Sequence, residues 1–428
     1  MSLSSASAHR RILALASLTP VHRAFHWLHL HQPQLRQWLL DSVRIPSPPF
    51  EERRRAEWFE ERFHAFGLEK VRIDEEGNVV GERLGPSPLQ ASPEQAAGML
   101  LLSAHLDTVF PAGTDCEPIE AGSRIFAPGA SDNGAGLTAL LAIASALQFA
   151  QITPAVPILF TANVGEEGVG NLRGIRHLLT EGPYRGRISG AIALEGGGAS
   201  AVVTRALGSV RLRVTVTGPG GHSWTDAGAP NPIVLLGRAL AGAASLPFPG
   251  EPRTTFNVGQ ISGGTSINSI PESATALLDL RSTDPSQMRV SAAELCASLR
   301  QAIDTAWAES PAQPKLQLTI ETIGERPAAS LPDDSPLLET IRAVDRHLGL
   351  RTETRIGSTD ANLPLSLRIP AVALGGGGTG GGIHTVGEWY DPTGREIALR
   401  RILLTVLDTT QQIADGALGV GSVDDSEG

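Results

Sequence analysis

The chain has 428 residues, too many for one typical hydrophobic core, so two domains are expected, one inserted into the other. A formal net charge of −10 argues against a nucleic-acid partner, and 41% hydrophobic with 19% charged residues is ordinary for a soluble globular protein. The two cysteines, Cys116 and Cys296, cannot build a disulfide framework or a Cys-rich zinc site, which fits a reducing, cytoplasmic setting. No apolar run reaches the roughly 20 residues that span a bilayer, so no membrane partner is expected. Arg10-Arg11 ahead of an apolar run at 12–18 lacks a small-x-small cleavage site, so this segment is read as a frayed or helical N-terminus, with residues 1–19 and 416–428 as flexible termini outside the domains.

Residues 20–43 carry apolar side chains at helical spacing (Val21, Phe25, Leu28, Leu35, Trp38, Leu39), with an interruption near Pro33. The histidines of this stretch, His22, His26, His29 and His31, read as solvated or packed helix positions, because no carboxylate partners them locally. Residues 45–49 form a stiff Pro-rich loop, and 51–66 a charged amphipathic helix stopped by Gly67. Residues 71–80 read as a hairpin turning through Glu76-Gly77-Asn78, and 85–98 as a polar surface loop.

The apolar run at 99–102 reads as a buried strand that breaks into Ser103-Ala104-His105-Leu106-Asp107. Residues i and i+2 of a strand face the same way, so His105 and Asp107 share a face. Sharp turns follow through Gly129-Ala130-Ser131-Asp132-Asn133, then a buried helix at 137–147, so Asp132 is either an N-cap or a ligand. The strand at 156–164 runs into Gly165-Glu166-Glu167-Gly168. Neighbouring side chains point apart, so one of these carboxylates can ligate a metal while the other faces a substrate. A short strand at 191–194 ends in Glu195 and three glycines.

From 207 to 324 the pattern changes. Val210, Leu212, Val214 and Val216 alternate with polar residues, a helix is expected at 231–244, and strands at 254–261 and 273–281. A helix at 285–307 and a strand at 315–322 complete a ferredoxin-like β-α-β-β-α-β order. A helix at 335–348, a strand at 370–374, a glycine run at 375–382 interrupted by Thr379, His384 and a helix at 397–413 follow. The glycine run lacks the Gly-Lys-Ser/Thr ending of a phosphate loop.

His105, Asp107, Asp132, Glu166, Glu167, Glu195 and His384 all follow apolar strands or Gly-rich turns, as expected of a site at the carboxyl edge of an α/β sheet. Imidazole plus carboxylate without thiolate suits zinc, cobalt or manganese in a hydrolytic site. Five ligands with one bridging carboxylate suffice for two cations about 3.5–4 Å apart, and the remaining acidic residue can serve as general base.

At these residues the sequence resembles the M20 metallopeptidases, which include glutamate carboxypeptidase, tripeptidase T and acetylornithine deacetylase. The resemblance rests on Ser103-Ala104-His105-Leu106-Asp107-Thr108, Gly129-Ala130-Ser131-Asp132-Asn133, Gly165-Glu166-Glu167-Gly168, Leu194-Glu195-Gly196 and Gly382-Ile383-His384. It implies a zinc-peptidase-type α/β/α catalytic domain at 20–206 and 325–415, with the ferredoxin-like lid at 207–324. It further implies that His105, Asp132 and Glu195 bind one divalent metal ion, Zn2+ with Co2+ or Mn2+ as alternatives, while Asp132, Glu167 and His384 bind a second. Asp107 would orient His105, and Glu166 would act as the base.

In the lid, Gly220-Gly221-His222-Ser223 matches a motif whose His is expected to reach a partner subunit's active site and polarise the scissile carbonyl. Asn268, in Gly263-Gly264-Thr265-Ser266-Ile267-Asn268, and Arg281 match substrate-binding positions. Without the family, His222 and Asn268 read as turn residues and Arg281 as a surface charge. The resemblance implies a homodimer formed through the lid and an exopeptidase acting on small peptides, with an N-acyl amino acid deacylase as the alternative. Glu195 stands where many members have Asp, which leaves the substrate open.

Overall fold

The computed structural model describes residues 3–86, 98–309 and 316–419. The loop expected at 85–98 lies largely outside them, as does the first residue of the strand expected at 315–322. The chain forms two compact units, Met1–Ala206 with Ser330–Gly428, and Leu207–Ala329.

The first unit opens with α1 (Leu3–Ala16), α2 (Thr19–Leu30), α3 (Gln32–Val43) and α4 (Arg53–Ala65). Of the N-terminal segment, read from sequence as frayed or helical, Leu3–Ala16 are helical. Ala8 and Ile12 of α1 are buried, and Arg11 forks onto both carboxylate oxygens of Asp408 at 3.1 Å. Pro20 and Pro33 sit in the first turns of α2 and α3, where a missing N–H costs nothing, so Pro33 divides the helical stretch. Strands β1 (Glu69–Ile73), β2 (Val79–Arg83) and β3 (Met99–His105) follow, then α5 (Gly134–Ala150), β4 (Ile158–Asn163), β5 (Ile188–Leu194) and β6 (Ala201–Ala206).

The chain then builds the second unit from β7 (Gly208–Thr217), α6 (Pro232–Ala244), β8 (Thr254–Gly263), β9 (Ser273–Ser282), α7 (Pro285–Glu309) and β10 (Gln317–Arg326). It returns to the first with α8 (Pro336–Leu348), β11 (Glu353–Gly357), β12 (Ala371–Leu374) and α9 (Arg395–Ala414).

The main sheet runs β1-β2-β4-β3-β5-β12-β6, with β11 beside β6. Strands β4, β3, β5 and β12 are mutually parallel, in a register that sets His105 beside Asn163 and Leu374 beside Leu194. Each of these strands is wholly or almost wholly buried, which explains their unbroken apolar runs. Residues 119–121, 124–126, 379–381 and 389–391 form a separate small antiparallel sheet.

In the second unit the antiparallel order is β8-β9-β7-β10. Alternate residues of β7 and β9, among them Leu212, Val214, Ala276 and Leu278, pack with Leu236 of α6 and Leu295 and Leu299 of α7. This is the ferredoxin-like arrangement. The unit closes later than residue 324 because β10 stays paired with β7 as far as Arg326 opposite Ser209.

In the first unit, α8 and α9 are joined by a buried ion pair. Arg401 Nε and NH2 lie 2.6 and 2.9 Å from the two oxygens of Asp345, and the same guanidinium donates to the Ala201 carbonyl at 3.1 Å. Asp345→Ala leaves that buried charge without its counterion. The expected loss is about 3–5 kcal/mol of stability, read from urea unfolding, and Asp345→Asn should lose less.

Candidate metal centre

The parallel strands deliver their following residues to one edge of the sheet, where α/β proteins place their sites. His105 is the last residue of β3, and Glu195 directly follows β5. Glu166 and Glu167 follow β4 through Gly165, whose φ of +69° suits a residue without a Cβ. His384 occupies the turn between the 379–381 and 389–391 strands, itself at φ +65°, where Thr385 Oγ1 donates to the Gly382 carbonyl at 2.6 Å. Asp132 precedes α5 but is not its cap. Asn133 takes that place, its Oδ1 accepting from the Gly136 N–H at 3.1 Å.

These segments converge. His105 Nε2 lies 3.1 Å from Asp132 Oδ1 and 3.3 Å from Glu195 Oε1. His384 Nε2 lies 3.2 Å from both Asp132 Oδ2 and Glu167 Oε1. Asp132 therefore offers one oxygen to each imidazole. Ligand atoms of His105, Asp132 and Glu195 lie within 4.8 Å of one another, as do those of Asp132, Glu167 and His384, and those of His105, Glu166 and Glu167.

Burial and charge oppose each other here. Burial disfavours the charged form of His105, but Glu195, Asp107 and Asp132 outweigh it and hold the imidazole pKa well above its usual value. Burial pushes Glu195 up to about 7 against the pull of His105. The hydrogen bond that His384 donates to Asp132, with Glu167 beside it, raises His384 to about 9. Asp132 stays below the usual carboxylate range: burial would raise it, but both imidazoles prevail.

Further side chains hold this geometry. The Asp107 carboxylate accepts the backbone N–H groups of Glu166 at 3.0 Å and Glu167 at 2.7 Å. With both oxygens engaged there, it stands 3.6 Å from His105 Nδ1, and the Asp107 carbonyl is the nearer partner at 3.0 Å. The residue expected to orient His105 thus does so chiefly through its backbone. Arg55, fully buried, donates to the Leu106 carbonyl at 2.8 Å and to that of Ile45, so β3 is fixed at its last turn.

Two contributions were not visible in the sequence. Glu388 is buried and accepts the N–H groups of Gly129 (3.1 Å), Ser131 and Asp132 (both 2.7 Å), clamping the turn that carries Asp132. Asn133 Oδ1 also accepts from the Gly196 N–H at 3.0 Å while its Nδ2 donates to the Leu194 carbonyl at 2.8 Å, tying Glu195 to the start of α5. Nothing about a lone Glu after Gly387 distinguishes it by residue type or spacing. The Asn after Asp132 was part of a recognised motif, but its role needs the fold.

The donor set fits divalent cations: two imidazoles and three carboxylates face one another, and Glu195 Oε2 is buried with no hydrogen-bond partner.

In the second unit, residues 221–222 pair with 269–270, so His222 and Asn268 are neighbours, linked by Ser223 N–H to the Asn268 carbonyl at 3.0 Å. His222 Nδ1 accepts from the N–H groups of Trp224 (3.2 Å) and Thr225 (3.4 Å), and Asn268 Oδ1 accepts from Ser266 Oγ at 2.5 Å. Arg281 is not with them. It lies near the other end of β9, bonded to Asp279 at 2.6 Å.

A sequence profile of peptidase family M20/M25/M40 matches residues 101–407. The chain belongs to this family. Among curated proteins, the uncharacterized protein YqjE of Bacillus subtilis (strain 168) is 22% identical over 354 residues, covering 81% of this chain and 90% of that one. A tripeptidase structure from Staphylococcus aureus superposes with a TM-score of 0.68 at 23% identity, over 89% of this chain and 99% of that chain. The structure of YXEP from Bacillus subtilis, described as a dinuclear metal-binding peptidase of the M20 family, gives 0.59 at 15% identity, over 89% and 98% of the two chains. This family member has no helix among its described residues long and apolar enough to cross a membrane.

Two outcomes follow from the centre. Glu388→Gln, which replaces an acceptor oxygen with a donor, should lower metal affinity about 10–100-fold in a chelator competition assay. Cation binding must displace the proton that His384 carries below about pH 9. Affinity should therefore rise with pH up to that region, with proton release measurable by calorimetry in buffers of different ionisation enthalpy.

Proposed function

We propose that this M20-family chain is a dinuclear-metal-dependent amide hydrolase, and specifically an exopeptidase on small peptides. One observation carries the reading: Asp132 presents separate oxygens to His105 and His384, with Glu195 beside the first imidazole and Glu167 beside the second. His105, Asp132 and Glu195 would hold one cation, and Asp132, Glu167 and His384 the other. Zn2+ is the proposed metal, with Co2+ or Mn2+ also compatible with the donors. Two bound divalent cations would supply a water activated at neutral pH and polarisation of the amide carbonyl.

The chain's own groups do the rest. Glu166 lies against His105 and Glu167, and its backbone is held by Asp107, so its carboxylate is positioned without being needed as a ligand. It takes the proton from water and passes it to the leaving amine. His222, with Nδ1 accepting from two backbone N–H groups, keeps its ring proton on Nε2, the tautomer that donates to a carbonyl oxygen. Asn268, its loop neighbour, is proposed to line the substrate pocket. Arg281 is retained as a weaker substrate-binding candidate because Asp279 already engages it.

The small-peptide substrate is supported by the tripeptidase and M20 peptidase descriptions of the similar structures. A homodimer through the second unit is proposed alongside it. Within that unit, β8 is an edge strand with an exposed Ile261 and one side left unpaired.

Glu166→Gln should keep its metal content and lose about 10²–10⁴-fold in kcat. Unchanged turnover would remove Glu166 as the base. His222→Ala should lower kcat with metal content intact. The metal-loaded protein should cleave free di- and tripeptides in preference to N-acetyl, N-succinyl and N-formyl amino acids. Cleavage of the acylated compounds alone would make it a deacylase.

A further inference from the structure

The histidines of α2 are not used by the centre described above. His22, His26 and His29 stand at i, i+4 and i+7, hence on one helical face, and all three are exposed. The opposite face, Val21, Ala24, Trp27 and Leu28, is buried. His31 has a structural role: its ring stacks on Trp27 at 4.3 Å and its Nδ1 lies 2.9 Å from the Trp27 carbonyl.

In sequence, these imidazoles lack the carboxylate that accompanies metal-binding histidines. The fold brings one from the far end of the chain. Glu396, in the first turn of α9, places Oε2 2.8 Å from His29 Nδ1. Its other oxygen is bonded to Arg400, so the carboxylate is held from both sides. A carboxylate accepting the Nδ1 proton fixes the tautomer that leaves the Nε2 lone pair free, which is how second partners prepare imidazole ligands. The His29 side chain is 63% exposed, so a cation can reach it. His26 lies one turn earlier, with Cβ atoms about 5–6 Å apart at this spacing, and His22 lies one turn before His26.

We propose that His26 and His29, the latter oriented through Glu396, form a further divalent-cation site on the surface of the first unit. Its nitrogen donors select an imidazole-preferring cation such as Zn2+, Cu2+ or Ni2+ over Mg2+ or Ca2+. Because Glu396 belongs to α9, the bound cation fastens α2 to α9.

The test uses full-length, chelator-stripped protein titrated with Zn2+ against a chromophoric competitor. Wild type should take up one Zn2+ more than the His26→Ala/His29→Ala variant. That difference does not depend on how many cations the carboxylate-rich centre binds, so failure here is distinguishable from failure of the hydrolase reading. Glu396→Gln should weaken the additional binding event about 10–100-fold. Excess Zn2+ should raise the thermal midpoint of wild type more than that of the double variant. Equal uptake by wild type and double variant overturns the site, and unchanged affinity in Glu396→Gln overturns the part given to Glu396.

Discussion

His105 Nε2 stands between Asp132 and Glu195 at 3.1 and 3.3 Å, and much of the carboxyl edge of the sheet serves to keep those atoms there. Three carboxylates drawn this close, largely out of water, repel one another. The arrangement is tolerable only with positive charge between them. Protons on the imidazoles supply some of it, yet burial, with Asp132 and Glu167 adding to it, still pushes Glu195 up to about 7. Divalent cations and protons are thus competitors for the same electrostatic deficit.

A second layer turns this requirement into geometry. The buried carboxylates of Asp107 and Glu388 touch no imidazole at hydrogen-bond distance; both grip backbone N–H groups. Each fixes a turn that presents a candidate ligand: Asp107 the one with Glu166 and Glu167, Glu388 the one with Asp132. Close backbone approach completes the set. A Cβ on Gly136 would lie 2.4 Å from the Leu194 carbonyl, and one on Gly376 would lie 2.6 Å from the Ala135 carbonyl. Gly376, in the run that suggests a phosphate loop, is there because the start of α5 packs against it, while Gly377 and Gly378 lie against the backbone of Arg395 and Asp391.

How much of this was legible depended on the range of the interactions. The strand ends at His105, Glu167 and Glu195 were marked by apolar runs breaking into polar residues, a local signal, and the M20-family profile matches residues 101–407, which hold all of them. The ferredoxin-like unit was legible for the same reason, since alternation over Val210 to Val216 is local. Glu388 and the Glu396 partner of His29 were not, because their partners are more than 250 residues away. At the N-terminus the sequence left a frayed segment and a helix both open, and the helix is what forms. Its order depends on burial of Ile12 and on the Arg11–Asp408 contact, neither of which a short apolar run announces.

The point where the second unit joins the chain has a consequence of its own. The chain leaves the first unit after Ala206 and re-enters at Ser330, and Leu331 N–H bonds to the Thr204 carbonyl at 2.8 Å. Departure and return are therefore adjacent in space. Topologically the whole of Leu207–Ala329 is one closed excursion, and the entropy of closing such a loop grows only with the logarithm of its length. The candidate ligands His105, Asp132, Glu167, Glu195 and His384 all lie outside that excursion. Sequence change, insertion or replacement within it can proceed without disturbing the registration of the parallel strands.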